Sequence, residues 1–210
     1  MKERGVGAAS WDERYAADAF YYGCDPNDFL IEQAGAIHAG SRVLCLAEGE
    51  GRNAVFLARQ GWQVTAVDQS TVGLRKASAL AQRAGVTIHT VVSDLADYVI
   101  EPGAWQGIVS IWCHVPQPLR AELHRRVVAG LAPGGVFLLE AYTPDQLRYG
   151  TGGPPTADLL PTLSALREEL VGLEFTVGRE LLREVHEGQG HHGLSAVVQV
   201  LARKPSHHQS

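Results

Sequence analysis

From Arg42 onward, short apolar runs rich in β-branched residues alternate with longer amphipathic segments. That pattern predicts a parallel sheet covered by helices on both faces, because strands buried on two sides read as nearly continuous apolar runs. The expected strands are 42–47 (RVLCLA), 62–68 (WQVTAVD), 86–94 (VTIHTVVSD), 107–113 (GIVSIWC) and 136–142 (VFLLEAY). Between them, 54–61 and 71–85 read as helices that stop at Gly61 and Gly85, and 116–135 as a helix begun at prolines and closed by a Pro-Gly-Gly turn.

The rhythm breaks in the last third. A Gly/Pro-rich stretch, 149–158, precedes a helix around Leu159 to Leu170, and two partly alternating runs, 175–188 and 193–204, are joined by a short QGHH segment. Such a pair predicts adjacent antiparallel strands. Ahead of the sheet, 25–40 reads as a helix capped by Asp25, with Pro26 at its first position and Gly40 at its end. Trp11, Tyr15, Phe20, Tyr21 and Tyr22 form an aromatic group outside the repeats. With no internal repeat or linker, the 210 residues are expected to make one α/β domain with a doubly wound sheet. Its expected parts are a helical cap over 1–40, a core over 41–204 and a disordered tail over 205–210.

Composition narrows the partners. The net charge is −5 and the basic residues are scattered, so the chain lacks the electrostatic footprint of a nucleic-acid binder. Cys24, Cys45 and Cys113 are an odd set at wide spacing, which suits neither a disulfide framework nor a zinc motif and points to a reducing compartment. No apolar run approaches the ~18 residues of a membrane span, and the N-terminus has no apolar stretch after its charges. The expectation is a cytoplasmic protein with no membrane partner and no metal.

The most informative stretch is LAEGEGRNA, 46–54, between the first strand and the first helix of the repeat. Its G-x-G-x-x-A spacing lets backbone approach a ligand closely at a helix start. A dinucleotide would bring a doubly negative pyrophosphate there, and Glu48 and Glu50 argue against that guest. S-adenosylmethionine carries no phosphate; its sulfonium and ammonium would be helped by carboxylates. Asp68 ends the second strand, placed to accept hydrogen bonds from two ribose hydroxyls, a feature that fits NAD equally well. Ser93-Asp94-Leu95 ends the third strand, where Asp94 would accept the adenine amino group beside the backbone of Leu95.

The motifs VLCLAEGEGRNA, VTAVDQS, VVSDLADY, HVPQPLR and LAPGGVFLLEAY together resemble the class I S-adenosylmethionine-dependent methyltransferases, over roughly Arg42 to Lys204. The subgroup the chain looks closest to is the small-molecule branch around the tellurite-resistance methyltransferases, with the thiopurine methyltransferases more distant. The G-x-G-R-N motif paired with the E-G…H-x-G…L-A-R-K ending carries that likeness. The resemblance implies a seven-stranded sheet ending in an antiparallel hairpin, S-adenosylmethionine as cofactor, and a small-molecule acceptor such as a thiol or a tellurite- or selenite-type compound. It implies cofactor contacts at Glu48, Gly49, Glu50, Gly51, Asn53, Asp68, Gln69, Asp94 and Leu95, with Trp11 and Tyr15 in a lid and Arg14 near the cofactor carboxylate or an anionic substrate. The chain departs from the family at Cys45 and Ala47, where an acidic residue and a glycine are usual, and Glu48 stands where a small residue or Cys is common.

Methyl transfer from a sulfonium needs alignment and exclusion of water; only a hydroxyl or amine acceptor needs a base. The candidates for chemistry are His114, at the end of the fourth strand, and His192, expected in the hairpin turn with His191 and Glu187 nearby. Against each stands the reading that a lone histidine is structural, and that Cys113 beside His114 is core. Arg183 and Glu187, four apart, either pair or are solvated. Two other functions remain open on sequence. A short-chain oxidoreductase using NAD(P) would need a Y-x-x-x-K pair, and no tyrosine has a lysine four residues on. A non-catalytic S-adenosylmethionine-binding protein would share every cofactor motif.

Overall fold

A computed structural model describes residues 8–206. In chain order the elements are α1 (Ala8–Arg14), α2 (Asp28–Gln33), β1 (Arg42–Leu46), α3 (Arg52–Arg59), β2 (Gln63–Asp68), α4 (Thr71–Arg83), β3 (His89–Val92), β4 (Trp105–Ile111), α5 (Gln117–Gly130), β5 (Leu131–Tyr142), α6 (Leu163–Glu169), β6 (Glu174–Glu187) and β7 (His191–Arg203). The strands form one seven-stranded sheet in the order β3-β2-β1-β4-β5-β7-β6. β1 to β5 run parallel, while β7 lies antiparallel between β5 and β6. The order reverses between β1 and β4, the switch point outside whose strand ends ligands bind in open α/β sheets.

Alternation along each strand divides the core between the two faces of the sheet. Leu44, Leu46, Ile108, Phe137 and Leu139 pack with Leu123 and Val127 of α5 and Leu166 of α6. Val43, Cys45, Val109 and Leu138 face the other way, onto Phe29 and Leu30 of α2, Leu57 of α3 and Leu74 of α4. Each fully buried Leu or Phe contributes about 1.5–3 kcal/mol, which fixes strand register because a slip of one residue would exchange the faces.

Several expected boundaries move, each for a local reason. The expected helix over 25–40 is one turn and a half, Asp28–Gln33, tightening into a 3₁₀ turn at Ala34–Ala36. Asn27, not Asp25, caps it, since its side chain accepts the N–H of Leu30 at 3.0 Å. The chain then turns extended at Ile37, whose side chain is buried against Gly107 in a space that a Cβ there would invade at 2.9 Å. The helix expected over 54–61 starts earlier, at Arg52, and that over 116–135 stops at Gly130. The third strand keeps only His89–Val92 of the expected 86–94, because Val86 N–H still closes onto the Ala81 carbonyl at the exit of α4. β4 covers 105–111 instead of 107–113, and β5 begins at Leu131, where a register irregularity lets Trp105 pair with Leu131. The helix expected around 159–170 is Leu163–Glu169, preceded by a 3₁₀ turn at Ala157–Leu159.

The antiparallel hairpin is present, but its turn is 188–190, so His191 and His192 are the first residues of β7. The last four residues of the expected tail and the first seven of the expected cap lie outside the described residues. Among the described residues, no helix is long and apolar enough to cross a membrane.

Candidate active site

The glycine turn is shaped by three left-handed residues in five: Ala47 at φ 50°, Gly49 at φ 60° and Gly51 at φ 92°. Ala47 therefore holds by tertiary force a conformation that glycine adopts freely, which accounts for a glycine being usual there. Gly51 is required by packing as well. A Cβ there would lie 2.5 Å from the Cβ of Ala77, so only glycine lets α3 start this close to α4. A Cβ on Gly49 would stand 2.7 Å from the hydroxyl of Tyr15, which lies directly over the turn. Trp11 stacks on Tyr15 with ring centroids 5.7 Å apart.

The acidic side chains in and around the turn have partners within the chain. Asp68, at the end of β2, accepts the N–H of Gly49 on Oδ2 and that of Ser70 on Oδ1, both at 2.8 Å. Burial pushes its carboxyl above the ordinary range, opposed by those amides. Glu48 accepts the N–H of Ala54 at 2.8 Å and so caps α3, where the N-cap residue Gly51 has no side chain to do it. Its burial raises the carboxyl to about 7. Glu50 turns the other way: it pairs with Lys76 at 2.5 Å and accepts the N–H of Tyr21 at 2.8 Å. Lys76 also donates to the carbonyls of Ala17 and Ala19, so this pair straps the N-terminal segment across the turn. Asn53 accepts the N–H of Asn27 at 2.9 Å. Glu48, Glu50 and Asn53, expected from sequence as cofactor contacts, each also have a partner within the chain.

The remaining expected contacts surround the same strand ends. Gln69 follows Asp68 and is half-buried, while Asp94 is exposed and accepts the N–H of Ala96 at 2.8 Å. Leu95 is buried, with its carbonyl held by Arg126. Ser93 N–H donates to the Asp68 carbonyl at 2.9 Å, which fastens the β3 end to the β2 end. Arg14 lies over Trp11 with its guanidinium 4.5 Å from the ring centroid and donates to the Tyr22 hydroxyl at 3.1 Å.

Beyond the turn, the ends of β4, β5 and β7 build a second cluster. Trp112 sits at φ 56°, a strained setting for a large side chain of the kind that collects at functional sites. That setting lays its indole on Tyr142 at 4.4 Å and against His191 at 4.8 Å. Tyr22 covers the other side of His191 at 4.6 Å. Under these rings Glu187 is the hub. One oxygen accepts from Arg52 and from Trp112 Nε1, and the other accepts from Asn27 at 2.8 Å and from Arg183 at 3.3 Å. Burial opposes its charge, but His191, Arg52 and Trp112 outweigh it and hold the carboxyl well below the usual range. Arg183 continues to the fully buried Glu140 at 2.7 Å, so two guanidiniums answer two carboxylates. Of the two readings left open for Arg183 and Glu187, the structure shows the pair, at 3.3 Å and largely shielded from solvent.

The histidines part company here. His114 accepts the N–H of Tyr142 on Nε2 at 3.1 Å and stacks on that residue's ring, and burial takes its pKa down to about 3. His192 is exposed and meets His186 across the hairpin at 5.0 Å. His191 is the inward one, 5% exposed. Cys113 is half-buried and packs against the core, with burial lifting its thiol to about 12. Trp112, Tyr142, Arg52, Glu140 and Asn27 were not singled out from sequence. Glu140 alone carried a signal, a charge inside the apolar run VFLLEAY. Among the described residues, no group of three or more His, Cys, Asp or Glu side chains is placed to hold a metal ion.

Comparison with known proteins agrees with this architecture. Residues 43–135 match the family model of a methyltransferase domain. A 58-residue segment is 43% identical to the uncharacterized methyltransferase YbaJ of Bacillus subtilis (strain 168), covering 28% of this chain and 23% of that relative's length. Among solved structures, TehB from Haemophilus influenzae is similar at a TM-score of 0.70 and 21% identity, over 94% of this chain and 66% of that one. The N-methyltransferase NodS from Bradyrhizobium japonicum WM9, in complex with S-adenosyl-L-homocysteine, is similar at 0.69 and 16% identity, over 95% and 98%. The chain has the α/β Rossmann-like methyltransferase fold, with the antiparallel strands β5-β7-β6 at one end of the sheet.

Proposed function

We propose that the chain is an S-adenosylmethionine-dependent methyltransferase whose acceptor is a small molecule, a thiol or a related chalcogen compound. The observation that carries this reading is the Asp68–Gly49 bond, which joins the acid that ends β2 to the glycine turn that follows β1. It supports a cofactor with a ribose and no pyrophosphate, since Glu48 already occupies an amide at the start of α3 that a pyrophosphate would need. Asp68 has lone pairs left for ribose hydroxyls, Gln69 flanks it, and Asp94 with the Leu95 backbone suits adenine. Gly51 lets α3 start close against α4, and Tyr15, stacked on Trp11 over Gly49, is the side chain that moves aside to admit the cofactor and then covers it.

The cofactor supplies the electrophilic methyl group when bound. The protein's own residues align the acceptor and exclude water, which is the work of the aromatic walls at Trp112, Tyr142 and Tyr22. The thiol or chalcogen acceptor is supported by the resemblance of the glycine motif and the C-terminal hairpin to the tellurite-resistance branch. Net charge of −5 speaks against a nucleic-acid acceptor, and the reading places the protein in the cytoplasm. Incubation with methyl-labelled S-adenosylmethionine and a panel of thiols, selenite, tellurite, phenols and amines tests it: label should transfer to a sulfur or other chalcogen acceptor, and transfer only to nitrogen or oxygen would overturn that choice.

A further inference from the structure

β6 and β7 pair in a register that sets His186 directly opposite His192. The N–H of His192 points away from β6, to the Thr151 carbonyl at 2.9 Å, so the two histidines form a non-hydrogen-bonded pair, the kind whose side chains stand closest. Their ring centroids are 5.0 Å apart and their planes 61° from parallel. Both residues are exposed. Alternation turns them to the face opposite the buried Glu187 and His191, so they lie outside the aromatic cluster. Among the described residues neither imidazole has a hydrogen-bond partner, and in its neutral form each ring then has a nitrogen lone pair free for a ligand. Glu184, one pair further from the turn on the same face, adds an acidic neighbour.

The separation of the rings suits a shared metal ion. A metal–nitrogen bond of about 2.0–2.1 Å puts a ligating imidazole's centroid about 3.2 Å from the ion, so two imidazoles on a tetrahedral ion have centroids about 5.2 Å apart, and two at a right angle about 4.5 Å. The observed 5.0 Å lies between these values. We propose that His186 and His192 bind a divalent transition ion, zinc, nickel or copper(II), as a two-imidazole clip across the tip of the hairpin, with water completing the shell. Imidazole nitrogen selects these ions over magnesium and calcium, which take oxygen ligands. The ion joins β6 to β7 one pair before the ladder ends at Glu187 and His191. It thereby fixes the end of the hairpin whose turn supports the N-terminal segment, where Gln189 N–H donates to the Tyr21 carbonyl at 2.8 Å. An ion held by the folded hairpin and not by the unfolded chain raises stability by mass action. The site stands apart from the methyltransferase reading, because it uses no residue of the glycine turn or of the aromatic cluster.

Calorimetric titration of the full chain with zinc chloride, and separately with magnesium chloride and copper(II) chloride, tests this. One zinc per chain should bind, copper(II) should bind more tightly, and magnesium should give no binding. His186→Asn and His192→Asn, both at exposed positions, should each weaken zinc binding at least about 10-fold, since losing a ligand costs no less than losing one of its outer partners. The double substitution His207→Asn/His208→Asn, at the other adjacent histidines of the sequence, should leave zinc binding unchanged. Zinc at a hundredfold excess over its Kd should raise the Tm of the wild type by about 5–10 °C, and the same concentration should raise that of either hairpin variant by about half as much or less. Absence of zinc binding, binding that survives both hairpin substitutions, or binding that disappears with His207 and His208 overturns the site. So does a stoichiometry of one zinc per two chains, in which a second copy and not water completes the shell.

Discussion

The carboxylate of Asp68 accepts the N–H of Gly49 at 2.8 Å, so the acid that ends β2 also fastens the turn that follows β1. A side chain thus ties together the ends of two neighbouring strands, β1 and β2. Replacing it by Ala leaves the amides of Gly49 and Ser70 without their acceptor, at about 1–3 kcal/mol for each that stays unsatisfied. Asp68→Ala should lower unfolding free energy by about 2 kcal/mol in urea melts and weaken S-adenosylhomocysteine binding about 10- to 100-fold by calorimetry. Unchanged affinity would remove Asp68 from the cofactor site.

Ala47 and Gly51 make opposite predictions within one turn. Ala47→Gly relieves a left-handed alanine worth about 1–2 kcal/mol but loosens the unfolded chain by about 0.4–1 kcal/mol, so stability should stay level or rise by up to ~1.6 kcal/mol. Gly51→Ala combines φ 92° with a Cβ 2.5 Å from Ala77, and should cost at least about 2 kcal/mol and weaken cofactor binding. Thermal melts of the two variants check both.

Glu48 gives the protein a pH dependence of definite sign. Its carboxyl sits at about 7 in the fold against 4.5 for the free group, so the folded chain holds the proton more tightly. The stability this contributes is complete below pH ~4.5 and is lost as pH rises through ~7, by roughly 3 kcal/mol at most. His114, taken down to about 3 by burial, acts in the opposite direction, its contribution being lost as pH falls below ~6.5. Comparison of Glu48→Gln with the wild type at pH 5 and pH 8 isolates the first effect: the variant should lose less stability between those two values.

Glu187 is predicted to matter more for the fold than any other charge in the site. Glu187→Ala strands Arg52 in a buried position and deprives Trp112 and Asn27 of their acceptor. Loss of one partner from a buried pair costs about 3–5 kcal/mol, whereas Glu187→Gln, which keeps an acceptor oxygen, should cost less. Denaturation followed by tryptophan fluorescence reads both the stability and the surroundings of Trp112.

What was legible in the sequence followed from periodicity. The alternation of runs from Arg42 predicted the doubly wound sheet, and the broken rhythm after Tyr142 together with the family resemblance led to the β6–β7 hairpin. Boundaries moved where tertiary contacts decided them: Asn27 rather than Asp25 caps α2, and burial of Ile37 against Gly107 ends the helical stretch early. Around the turn, the position of Asp68 at the end of β2 was readable from the strand pattern, whereas its bonds to the Gly49 and Ser70 amides were not. The partners of Glu48 and Glu50 within the chain were not readable either, since one caps a helix and the other pairs with Lys76, twenty-six residues later in the chain. The aromatic cluster was invisible because Trp112, Tyr142 and Tyr22 come from three distant segments and share no spacing.

The cofactor reading is tested most directly by calorimetric titration of the purified protein with S-adenosylhomocysteine and, separately, with NAD. Saturable one-site binding of S-adenosylhomocysteine, weakened in Asp68→Ala, with no heat from NAD, is the expected result. Binding of NAD in the absence of S-adenosylhomocysteine binding would contradict it.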